Sequence, residues 1–112
     1  MVDLSFLEKF TKGNKKKMAR YISIYLSIAP EIFEKMEQNI EDYDWEQLRI
    51  NAHSLKPQAD YMGIPSLKSA LIEIEENVKE ENYMSLQEIY EKALRIHAES
   101  IPYLKEFILT NT

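Results

Sequence analysis

Residues 48–63 read LRINAHSLKPQADYMG. With Trp45 just before them, Leu48, Ala52, Leu55, Ala59 and Met62 recur at spacings of three and four, which on an α-helix gathers them into one apolar stripe facing a core. His53 lies off that stripe, about 100° around the helix from Ala52. Arg49 stands four residues before it and Lys56 three after it, on the same exposed strip. The segment therefore predicts a solvated imidazole flanked by two cations.

A neutral imidazole nitrogen is a nucleophile. Free histidine titrates near ~6.5, and neighbouring cations disfavour a further positive charge. If such a nitrogen takes up a phosphoryl group, the same cations stabilise the charge that arrives with it. Exposed histidines beside lysines are common, so a plain surface residue on a solvated helix is the alternative reading of this segment alone.

On the N-terminal side, Asp3 caps an expected short helix from Leu4 to Thr11 with Phe6, Leu7 and Phe10 as its apolar face. Gly13 and Asn14 end it and open a second helix over 15–40, with Met18, Ile22, Tyr25, Ile28 or Ala29, Ile32, Phe33 and Met36 inward. Pro30 should bend it. Residues 41–43 form a short connection, and Asp44 caps the helix that carries His53.

On the C-terminal side, Gly63 closes that helix and Pro65 fits the first turn of the next, whose core face is Leu67, Ala70, Leu71, Ile74 and Val78. Its outer face, Glu73, Glu75, Glu76 and Glu80, reads as a solvating surface. A last helix is expected over 84–109, aligning Leu86, Tyr90, Ala93, His97, Ile101, Leu104 and Ile108, with Pro102 as a second bend. Short connections make neighbours antiparallel, so the expected fold is an all-α antiparallel four-helix bundle with a short additional N-terminal helix.

Composition agrees. The chain has 112 residues, 45% hydrophobic and 29% charged, which suits one soluble domain over 1–112. Two glycines and four prolines favour helices over turn-rich sheets. Without cysteine there is neither a disulfide nor a thiolate metal site. The first residues, MVDLSFLEKF, do not form a signal peptide, and no apolar run approaches the ~18 residues of a membrane span, so a cytoplasmic location is expected.

A formal net charge of −5 argues against general binding to nucleic acid or anionic lipid, and Lys15, Lys16 and Lys17 read as a solvated face. His97, on an apolar stripe, is expected to be hydrogen bonded at the core edge. It lies too far in sequence from His53 for an i, i+4 pair, and no metal is assigned. No glycine-rich phosphate loop is present, so any phosphoryl group must come from a partner.

His53 with Leu55, Lys56 and Gly63 after it, Ala52 before it, and Asp44-Trp45 opening the helix resembles the motif of histidine-containing phosphotransfer (HPt) domains, the phosphocarriers of two-component relays. The likeness runs from about Met18 to Leu109. It implies a non-enzymatic carrier in which His53 accepts the phosphoryl group from a receiver-domain phospho-aspartate and passes it to another receiver. Lys56 would stabilise the group and Arg49 would assist. Pro57 and Gly63 would lie on the partner-docking surface. The implied partners are response-regulator receiver domains and a hybrid histidine kinase, meeting a monomeric carrier that has no cofactor of its own; Mg²⁺ belongs to the receiver.

One position departs from the family. Four residues after the histidine the family usually has glycine, and here stands Pro57, which has no N–H to donate to the His53 carbonyl. The alternative is thus a non-catalytic helical module that docks receivers without phosphotransfer.

Overall fold

The structure, a computed structural model, describes residues 2–111; Met1 and Thr112, the ends of the expected domain, lie outside the described residues. Five helices and no strand are present among them: α1 (Ser5–Phe10), α2 (Lys15–Glu41), α3 (Trp45–Met62), α4 (Pro65–Lys79) and α5 (Leu86–Thr110). The all-α four-helix bundle with a short additional helix is what the periodicity predicted. α2 packs on α3, α3 on α4, α4 on α5, and α5 back on α2, closing a four-sided bundle with α1 laid against α2 and α3.

The ends are set by local chemistry. The Asn14 side chain accepts from the Lys17 N–H, and Asp44 accepts from the Gln47 N–H, each satisfying a donor that a helix start leaves free. Gly63 closes α3 in the left-handed region at φ +64°. Paired contacts run in opposite directions along neighbouring helices: Asn51 donates to Asn39 at one end of α2 and α3, while Tyr61 meets Tyr21 near the other. α2 and α3 are therefore antiparallel.

Leu48, Ala52, Leu55, Ala59 and Met62 are buried as the stripe required, opposite Ile22, Tyr25, Ala29, Phe33 and Met36 of α2 and Leu67, Leu71 and Ile74 of α4. Burying each large aliphatic side chain contributes about 1.5–3 kcal/mol. Ala29, not Ile28, takes the inward position on α2. Pro30, Pro57 and Pro102 all sit on exposed faces of helices that continue through them, and each removes one backbone N–H donor from its helix.

Two expectations are corrected. Phe6 and Phe10 are not core residues: both are about half exposed, and only Leu7 of α1 is buried. A six-residue helix can turn one side inward, and the two phenylalanines instead join Tyr21 and Tyr61 in a surface cluster of rings. The last helix begins at Leu86 rather than 84, and Ile101 and Ile108 are only half-buried. At the far end Trp45 stacks on Tyr83, with centroids 4.7 Å apart and planes 10° from parallel.

His97 is buried, as expected, with its Nδ1 2.6 Å from the Tyr25 hydroxyl and its ring stacked on Phe33. Burial penalises the imidazolium and lowers its pKa below the ordinary 6.5. The unfolded chain therefore takes up a proton at pH values where the folded one does not, and the His97 contribution is complete above about 6.5 and declines as pH falls toward the folded value. A melting-temperature series from about pH 7.5 to about pH 5 should show this decline in the wild type and a shallower one in His97→Phe. Equal slopes would remove His97 as its source.

Candidate functional site

α3 turns its apolar stripe inward and thereby turns His53 out: Ala52 and Leu55 are fully buried while the His53 side chain is 66% exposed. The ring does not float. Its Nδ1 lies 2.9 Å from Oε2 of Glu75 on α4, and the other oxygen of the same carboxylate receives Lys56 Nζ at 2.6 Å. Nε2 has no hydrogen-bond partner among the described residues, on a side chain that is mostly exposed.

Glu75 overturns one reading. It was expected on a solvating outer face, but it is buried in the seam between α3 and α4, its side chain only 8% exposed. Its position was legible after all, because Glu75 follows Leu71 by four and precedes Val78 by three, on the inward stripe of α4. A carboxylate there is tolerated because two donors meet it. Burial works to raise its pKa, but the hydrogen bonds from Lys56 and His53, with their charges, outweigh it and hold the group below the ordinary carboxylate value.

The flanking cations are accordingly not free. Lys56, expected to wait for a phosphoryl group, is bound to Glu75. Arg49, also on the His53 side of α3, is drawn to Glu46, with Nη2 2.5 Å from Oε2 and Nε 3.2 Å from Oε1. The Glu46 carboxyl is held below its usual range, chiefly by that hydrogen bond. The imidazole thus faces a carboxylate held by one cation, rather than two cations alone.

Pro57 is exposed one turn beyond His53. Gly63, placed by the sequence reading on the docking surface, is required by the fold itself: Asp3 N–H donates to its carbonyl at 2.8 Å, and a Cβ built on it would lie 1.5 Å from the Asp3 carbonyl oxygen. The ring cluster of Phe6, Phe10, Tyr21 and Tyr61 begins two turns beyond His53 on α3, and no sequence signal grouped those four residues.

The His53 side chain is held outward on a helical bundle, and among the described residues there is no metal-binding cluster and no helix long and apolar enough to cross a membrane. The Hpt domain family model matches residues 20–105, most of the chain, and the chain belongs to that family. Hpt domains carry a phosphorylated histidine in phosphorelays and interact there with receiver domains. No match was found among curated proteins or among solved structures.

Proposed function

We propose that this protein is a histidine phosphotransfer protein that accepts a phosphoryl group on His53 from a receiver phospho-aspartate and hands it to a second receiver. The observation that carries the reading is the imidazole itself: exposed, tethered through one nitrogen, and with the other left without a hydrogen-bond partner among the described residues, on the scaffold of the Hpt family. In the transfer the Nε2 lone pair forms an N–P bond as the aspartyl P–O bond breaks and the aspartate carboxylate leaves. Lys56, one turn from His53, is near enough to stabilise the arriving charge if it moves off Glu75. Mg²⁺ would be brought by the receiver, and the carrier would act in the cytoplasm as a monomer.

The test is to incubate the protein with a phosphorylated receiver and Mg²⁺ and to look for acid-labile, base-stable label on the chain. Label is expected. Its absence across the receivers of the source organism would favour a module that docks receivers without transfer, the reading that Pro57 suggests. In that case Pro57→Gly separates the causes, since restored labelling would place the block in the proline.

A further inference from the structure

We propose that the aromatic patch at the basic end of the bundle is a docking surface for an anionic bilayer, on which the protein rests peripherally without crossing it. The formal net charge of −5 averages over a divided surface. Residues 1–20 carry six cations, Lys9, Lys12, Lys15, Lys16, Lys17 and Arg20, against Asp3 and Glu8. Residues 31–46 carry seven carboxylates and one lysine, and residues 73–92 seven carboxylates and two lysines. α2 runs from the basic group to the acidic one, so the charge is separated along the 43 Å length of the molecule.

The cations border exposed apolar surface. Phe6 and Phe10 are half exposed with Tyr21 and Tyr61 packed beside them, and Ile24, one turn after Tyr21, is exposed as well. Lys9 follows Phe6 by three on α1, Lys17 precedes Tyr21 by four on α2, and Arg20 precedes Ile24 by four, so rings and charges share the same helix sides. The nearby acids are already paired: Glu8 meets Lys15 at 3.8 Å and Asp60 meets Lys68 at 3.0 Å. Lys9, Lys16, Lys17 and Arg20 are exposed and form no ion pair among the described residues.

Half-exposed rings beside unpaired cations suit the boundary of a membrane, where apolar side chains enter the headgroup layer and Lys and Arg meet the lipid phosphates. A nucleic-acid strand fits less well, because stacking a base needs a free ring face. Here Phe6 stacks on Phe10 and Tyr21 on Tyr61, while Phe10 meets both tyrosines edge-on. The acidic half does not oppose the contact: it begins at Glu31, about 16 Å along α2 from Arg20, beyond a screening length of about 8 Å. His53 stands eight residues before Tyr61, about 12 Å along α3, so docking leaves the acceptor ring above the surface. The proposal stands apart from the phosphocarrier reading.

The test is sedimentation of the full chain with vesicles at low salt. Vesicles of phosphatidylcholine and phosphatidylglycerol at about 2:1 should carry the protein down, and phosphatidylcholine alone should bind at least about tenfold less. Lys17→Glu should weaken binding about fivefold or more, whereas Lys35→Glu, the same charge change in the acidic half, should leave it within about twofold. The double variant Phe6→Ala, Phe10→Ala keeps every charge and should weaken binding at least about tenfold, with folding checked by circular dichroism. A wild-type chain that stays in the supernatant would overturn the proposal. So would equal losses from the two lysine variants, or full binding by the folded phenylalanine variant. Tighter binding to a single-stranded oligonucleotide than to the anionic vesicles would overturn it too and reassign the patch to nucleic acid.

Discussion

His53→Gln is expected to abolish receiver-dependent labelling completely while leaving the fold intact. The loss is total because glutamine has no nitrogen lone pair of comparable nucleophilicity, and the only other histidine, His97, is 4% exposed and hydrogen bonded to Tyr25. The fold is spared because the His53 side chain is two-thirds exposed and Glu75 keeps its Lys56 partner when the ring is gone. The contact is part-buried and Glu75 keeps its other donor, so its loss costs on the order of 1 kcal/mol and should move the melting temperature by about 4 °C. Label on the variant would move the acceptor elsewhere, and a collapse of the melting temperature would mean that the ring supports the bundle.

The second large effect falls far from the chemistry. Gly63→Ala should destabilise the protein by about 2–4 kcal/mol, a melting shift on the order of 10 °C. A left-handed backbone costs a residue with a Cβ about 1–2 kcal/mol. Here the new methyl would also meet the backbone of Asp3, with its carbonyl oxygen at 1.5 Å, its carbonyl carbon at 2.4 Å and its nitrogen at 2.9 Å. These are main-chain atoms and cannot rotate away, so the N-terminal segment must lift and give up the Asp3 N–H bond to Gly63. Gly13→Ala is the control. Gly13 also has positive φ, +75°, but nothing lies within 4 Å of its added Cβ, so only the backbone cost applies, about 1 kcal/mol. Equal losses at the two positions would show that contact with Asp3 does not matter.

The bundle was readable because its signals are local and repeated. Caps at Asn14 and Asp44, the closing Gly63 and stripes at helical spacing each specify one element, and their agreement leaves little choice of architecture. His53 was readable because the stripe that buries Ala52 and Leu55 leaves position 53 outside. Glu75 was passed over because residue type was weighed above position: glutamate is rarely buried unless paired, and the pairing with His53 and Lys56 spans 22 and 19 residues, a distance that helical periodicity does not address. The ring cluster escaped for a similar reason. Phe6 and Phe10 have the character of core residues, but α1 is too short to bury both, and their contacts with Tyr21 and Tyr61 are tertiary.

The stack of Trp45 on Tyr83 ties the start of α3 to the segment before α5, and Trp45 is the sole tryptophan of the chain. It stands eight residues before His53, about 12 Å along the helix. Its emission is thus a built-in reporter of whether those two segments remain clasped, so a fluorescence melt follows the integrity of the scaffold at a point away from the reactive ring.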